Sequence, residues 1–212
     1  DKQSIQFIEF TTDDFTGIRH SLENLGLTLV AQHFKKEIFL FENNDVAIIV
    51  NCERGGYAEE HFRKHGPSIL GFGLVLDNPE DTFAKAKIHG LNAQNSANSF
   101  TGLQLPGIKA DADIVVYPIT HAQWYAVIKE EFNYEPNQCQ KDTNVTHLDH
   151  IAINFAKGEL ESWKFFCETV LELRETSNFI INGKKTSFRC NPMSSSCGNI
   201  RIVLNEDFED GS

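Results

Sequence analysis

Basic residues are scarce in this chain: 19 Lys and Arg stand against 30 Asp and Glu, a formal charge of −11 over 212 residues. The acidic residues are scattered, so the surface field repels phosphate and nucleic acid is not an expected partner. Also missing is any apolar run near the ~18 residues that a bilayer span requires. The longest run, residues 69–76, contains two glycines and reads as a strand, and no membrane association is expected. Only 6 Pro and no low-complexity tract, against 41% hydrophobic residues and 17 Phe, describe a folded chain rather than a disordered one. The five cysteines, at 52, 139, 167, 190 and 197, include no Cys-x-x-Cys pair. That argues against a disulfide framework and a zinc ribbon, and for a reduced cytoplasmic setting.

What is present is a repeat, and a repeated supersecondary unit decides the whole fold. The first unit opens on strand-like Ile5-Gln6-Phe7-Ile8-Glu9-Phe10 and continues into a helix striped by Phe15, Ile18, Leu22 and Leu25. Thr11, Thr12 or Asp13 can cap that helix, and Gly26 supplies its left-handed stop. Three β segments follow, at 27–33, 37–41 and 46–50, the last two joined through Asn43-Asn44-Asp45, so the unit is βαβββ. The second unit starts with the strand at 69–76, enters a helix through Asn78 and Pro79, and leaves it at Gly90. Strands at 103–105 and 114–117 close it, while 92–100 is too polar to assign.

In the third unit residues 148–155 alternate, and a helix after Gly158 carries Leu160, Trp163, Cys167 and Leu171 on one stripe. Phe179-Ile180-Ile181, an Asn182-Gly183 hairpin turn, a strand at 186–190 and another at 200–205 complete it. Counted from Phe7, Gly71 and His150, the units begin 64 and 79 residues apart, too long for a solenoid and suited to paired half-barrels. The fold class is therefore α+β, with curved half-barrel sheets inside and helices outside. Residues 1–135 form a two-module domain, 136–146 a linker, and 147–212 the first half of a second domain.

Alternation along the first strand of the third unit puts Leu148, His150, Ala152 and Asn154 on one face and Asp149, Ile151, Ile153 and Phe155 on the other. The second set suits helix packing, which turns His150 to the concave side. Asn205, on a face with Arg201 and Val203, can point the same way. At this point two readings stand for His150: a metal or ligand contact, or a hydrogen-bonded core histidine with Asn205 merely ending a strand.

Other signals are weaker. Gly71-Phe72-Gly73 lacks the third glycine and following helix of a dinucleotide loop. His61 and His65 have helical spacing for chelation, but Gly66-Pro67 ends that helix at once, which favours a solvated or capping role. Cys190 and Cys197 have no base at a fixed offset, so a nucleophilic thiol is not supported. Glu59-Glu60 and the run Glu206-Asp207-Phe208-Glu209-Asp210 read as solvated charge.

Three stretches are more specific: Val30-Ala31-Gln32-His33 leading to Val50-Asn51; His65-Gly66-Pro67-Ser68; and Leu148-Asp149-His150 with the later Ile200-Arg201-Ile202-Val203-Leu204-Asn205-Glu206. On these the chain resembles the 4-hydroxyphenylpyruvate dioxygenases of the vicinal oxygen chelate superfamily, from about Phe7 to Glu206. The resemblance implies a mainly structural N-terminal pair of modules and a C-terminal pair that holds Fe(II) through two His and one Glu. His150 is the first of those ligands; the other two belong to a fourth module, which would begin beyond Ser212. The implied substrates are an aromatic 2-oxo acid and O2, and the implied products are homogentisate and CO2, a step of tyrosine breakdown. A homo-oligomer is the implied assembly.

On the substrate side Asn205 matches the family's asparagine. Cys190 stands where the family has a serine, and Val203 where it has a proline. A thiol is the weaker hydrogen-bonding group, so the same scaffold also admits a sister activity: a hydroxymandelate-forming enzyme or the domain fused to dehydroshikimate dehydratases. A non-catalytic small-molecule binder of the same superfamily is the reading from another class.

Overall fold

A computed structural model of the chain describes residues 2–134, 145–182 and 187–208. The first module comprises β1 (Ser4–Thr11), α1 (Phe15–Asn24), β2 (Thr28–His33), β3 (Ile38–Asn43) and β4 (Val46–Asn51). After α2 (Tyr57–His65), the second comprises β5 (Ser68–Val75), α3 (Pro79–Ile88), β6 (Asn92–Gln94), β7 (Gly107–Lys109) and β8 (Val115–Ile119), followed by α4 (His121–Glu131) and β9 (Phe132–Tyr134). The third comprises β10 (Ile151–Phe155), α5 (Leu160–Phe165) prolonged by a π-helical turn (Phe166–Val170), then β11 (Arg174–Glu175), β12 (Phe179–Asn182), β13 (Ser187–Ser194) and β14 (Arg201–Phe208).

One pairing rule recurs. In each module the first strand lies parallel to the last, giving the orders β1-β4-β3-β2, β5-β8-β7-β6 and β10-β14-β13, with β11 and β12 both paired to β13. Antiparallel pairing of β1 with β5 fuses the first two modules into a nine-stranded sheet that β9 extends at the β2 edge. The outer edge of β10, the counterpart of the edge that β1 offers to β5, has no strand on it among the described residues.

The concave face of the large sheet is filled. Phe7, Leu40, Ile49 and Tyr117 are fully buried there, and α4 lays Trp124 onto Phe7 with the rings stacked 4.7 Å apart. Gly73 makes this possible, because a Cβ at that position would run into the Phe7 ring. The convex face of the second module shares one apolar cluster with the third: Phe72, Leu74 and Val116 meet Ile151, Ile153, Trp163 and Leu204. Trp163, fully buried, also donates its indole N–H to the Asp111 carbonyl at 2.9 Å, tying the modules together.

Several local expectations need correction. α1 is capped by Asp14, whose carboxylate accepts the Gly17 N–H at 2.9 Å, rather than by the three residues before it. Leu25 lies past the last helical turn and is 64% exposed instead of completing the stripe. Residues 103–105 are not a strand: Leu103 and Leu105 are buried as an irregular segment and the strand is β7. Burial without alternation cannot distinguish the two. The caps at Asn78, Pro79, Gly26 and Gly90 are as expected. The Asn182-Gly183 turn, Cys139 and most of the 136–146 linker lie outside the described residues.

Candidate functional site: the open face of the third module

Helix α5 covers one face of the third sheet, and the register identifies the face left open. β10 alternates strictly, with Ile151, Ile153 and Phe155 buried toward α5 and Ala152 and Asn154 exposed. Directly paired residues share a face. The pairs Asn154↔Asn205, Asn205↔Cys190 and Cys190↔Phe179 therefore form one row across β10, β14, β13 and β12 on the open side. The chain thus brings together Asn205 and Cys190 and adds Asn154, whose Oδ1 accepts the Asn205 amide N–H at 3.1 Å. Cys190 is buried within the row, and that burial pushes its thiol pKa up, so it is a neutral thiol. Phe179 and Ile181, 47% and 50% exposed, wall this side.

His150 sits at the other end of the same face. It precedes Asn154 by four residues, a distance of about 13 Å along a strand. Paired Ala152 and Val203 floor the space between them with small apolar side chains. His150 also lines a concavity of about 160 Å³ with Thr176, Pro192, Ser194, Arg201 and Val203. Its Nδ1 lies 2.8 Å from Asp149 Oδ2, and Arg201 donates to Asp149 Oδ1 at 3.0 Å. The ring is half exposed, and no hydrogen bond engages its Nε2 among the described residues. Asp149 is held below the ordinary carboxylate range, first by the His150 hydrogen bond and then by the Arg201 charge. One imidazole nitrogen free on a concave face fits a single Fe(II) ligand. Among the described residues no group of three His, Cys, Asp or Glu is arranged to hold a metal.

Three other histidines, His33, His61 and His65, are committed elsewhere. His61 is buried, not solvated as its spacing suggested, and burial with the charges of His65 and Lys64 lowers its pKa to about 4. His65 bonds Asp113 at 2.9 Å. His33 accepts the Lys35 and Lys36 N–H groups on Nδ1 and meets Glu131 at 3.1 Å through Nε2. Glu206 is likewise not solvated charge: buried on the α5 side, it accepts the N–H groups of Gly158 and Leu160.

The sequence reading missed a polar network inside the filled sheet. Glu9, wholly buried, accepts from the Tyr117 hydroxyl at 2.6 Å and Asn51 Nδ2 at 3.0 Å, while Thr101 Oγ1 meets the same hydroxyl at 2.5 Å. Burial raises the Glu9 pKa against these hydrogen bonds, and raises that of Tyr117 well above its ordinary value. The sequence signal was Glu9 itself, a charge on the inward face of an otherwise apolar alternating strand. Every member is satisfied and surrounded by packed side chains, so the network is built into the core.

Comparison with known proteins bears on the whole assembly. A family profile described as "Hydroxyphenylpyruvate dioxygenase, HPPD, N-terminal" matches residues 2–129. A 4-hydroxyphenylpyruvate dioxygenase from Pseudomonas aeruginosa is 31% identical over 212 residues, which is 98% of this chain and 59% of that protein. The chain thus spans about three-fifths of the length of that relative. Among solved structures, a xylose isomerase-like TIM barrel/4-hydroxyphenylpyruvate dioxygenase fusion protein superposes with a TM-score of 0.84 at 20% identity, covering 97% of this chain and 32% of that one. A mutant 4-hydroxymandelate synthase from Streptomyces coelicolor superposes with a TM-score of 0.76 at 17% identity, covering 99% and 65%. At such identities the two structures speak for the glyoxalase-like fold.

Proposed function

The chain belongs to the hydroxyphenylpyruvate dioxygenase family, and from that premise we propose that it contributes one iron ligand and a substrate wall to an Fe(II) enzyme acting on 4-hydroxyphenylpyruvate and O2. The products are homogentisate and CO2, as in the breakdown of tyrosine, in the cytoplasm and in a homo-oligomer. The observation that carries this reading is the open face of the third module: a nitrogen ligand at one end, polar groups at the other, and an apolar floor of about 13 Å between them. 4-Hydroxyphenylpyruvate has that same polarity, with its carboxylate and keto oxygens at one end, its phenol hydroxyl at the other and the ring between.

His150 would hold the metal through Nε2. Bound Fe(II) would supply O2 activation and a seat for the 2-oxo acid. The chain's own contribution is positioning. Ala152 and Val203 leave room for the ring, and Phe179 and Ile181 offer it an apolar wall. Asn205, its amide N–H committed to Asn154, presents its carbonyl oxygen to a hydroxyl at the far end of the substrate. Cys190 stands beside it as a weak donor. The filled two-module body, described over residues 2–134, serves as the support.

The test is O2 uptake with Fe(II), ascorbate and 4-hydroxyphenylpyruvate, using a protein that carries this chain at the full length of its relatives. Uptake with homogentisate as product, lost in His150→Ala, is expected; no uptake above background removes the reading. Cys190 favours one second reading, a sister enzyme on the same scaffold with a different product, and the same assay separates the two by identifying hydroxymandelate.

A further inference from the structure

Asp149 lies between His150 and Arg201 and touches both: Oδ2 is 2.8 Å from His150 Nδ1, and Oδ1 accepts from the Arg201 guanidinium at 3.0 Å. A second bond, from Arg201 Nε to the Gly198 carbonyl at 3.2 Å, ties the guanidinium to the turn that precedes β14. Arg201 also stands next to His150 in register, since the Ile151↔Ile202 pair follows directly. The three side chains form a relay that begins on the backbone of the turn before β14 and ends on the ring leading into β10.

We propose that Arg201 is a positioning residue: through Asp149 it holds His150 as the tautomer protonated on Nδ1, so that the bare Nε2 faces the concave side. The inference rests on the reading of His150 as a metal ligand. The chemistry is directional. A carboxylate only accepts, so a ring nitrogen bound to it carries the proton, and in a neutral imidazole the other nitrogen is then the lone-pair donor a metal needs. A carboxylate free to rotate would fix neither tautomer nor ring angle. Asp149 and Arg201 are each more than half exposed, so the ion pair itself adds little stability. What it contributes is orientation, the effect that makes outer partners of metal-bound histidines worth about 10–100-fold in affinity. Nothing in the composition or periodicity of the chain signals Arg201, because on the alternating strand it reads as an ordinary exposed cation.

The experiment uses the chain as it stands, labelled with 15N-histidine, and reads the His150 ring nitrogens at pH 8 by long-range 1H–15N correlation. The expected wild-type spectrum shows a protonated Nδ1 and a bare Nε2. Arg201→Ala and Asp149→Asn should move His150 toward the tautomer mixture of a free imidazole, with Arg201→Lys retaining part of the preference. Co(II) alone, titrated as a probe, should perturb His150 at about tenfold lower concentration in the wild type than in Arg201→Ala. A wild-type ring protonated on Nε2, or one indifferent to Arg201→Ala, overturns the proposal and leaves the metal reading intact. In a protein that carries this chain at the full length of its relatives, a ring held on Nδ1–H that ignores Co(II) upholds the tautomer relay and overturns the metal reading.

Discussion

Glu206 on β14 closes the N-terminus of α5, accepting the Gly158 N–H at 2.8 Å and the Leu160 N–H at 3.3 Å from across the module. Glu159, at the capping position itself, makes no side-chain cap. The helix start is therefore satisfied by a tertiary partner 48 residues away from Gly158, whose charge also suits the positive end of the helix. Arg189, partly exposed, lies 3.3 Å from the second Glu206 oxygen.

Glu206→Ala removes that acceptor and should destabilise the protein by about 1–2 kcal/mol, whereas Glu206→Gln, which keeps an acceptor oxygen, should cost less. Urea midpoints of the three proteins measure this. Equal midpoints would show that solvent satisfies the helix end as well as Glu206 does.

Gly73→Ala should also destabilise, because its Cβ enters the space of the Phe7 ring, which cannot retreat from its stack on Trp124. Overpacking of this kind costs about 1–3 kcal/mol, at roughly 2–4 °C of melting temperature per kcal/mol. Adding Phe7→Leu should recover part of the loss, and a double variant no better than the single one would refute the steric account.

Glu9 gives a pH dependence of definite sign. Its pKa is raised in the folded state, chiefly by burial, from the ordinary 4.5. The native protein then binds this proton more tightly than the unfolded chain, so the contribution is present below pH 4.5 and fades as pH rises through the native value. Stability curves of wild type and Glu9→Gln from pH 4 to pH 8 should diverge in that direction. Parallel curves would contradict the assignment.

His61 works with the opposite slope. Burial, then the charges of His65, Lys64 and Lys109, lowers its pKa from 6.5 to about 4 against the pull of Asp113. The unfolded chain binds the proton more tightly, so stability is retained above pH 6.5 and falls between 6.5 and 4, by up to roughly 3 kcal/mol. His61→Gln should flatten this part of the profile, as urea unfolding at pH 7 and pH 4.5 would reveal.

Much of the fold could be read from residue order because the signals are local. Alternation and capping residues place β1, β5, β10, α3 and the Asn44 hairpin, and the βαβββ repeat follows from their succession. Pieces without local signal were missed: residues 103–105 look like a strand because they are apolar, yet they pack as an irregular plug. The same limit applies at the site. His150 and Asn205 could be assigned a face by alternation, but Cys190 joins their row only through the register of β13 on β14.

By itself the sequence determined the repeat and which side of β10 is apolar, since each depends on spacing within a few residues. Only the tertiary structure decided which charges are solvated and which are structural. Glu9, Glu206 and His61 share the composition of surface residues, but each is buried against a partner more than 40 positions away or, for His61, against Ser68 in β5. The physical reason is that desolvation and hydrogen-bond direction belong to a place in space, and in this chain those places are assembled by strands that meet only after the modules have folded.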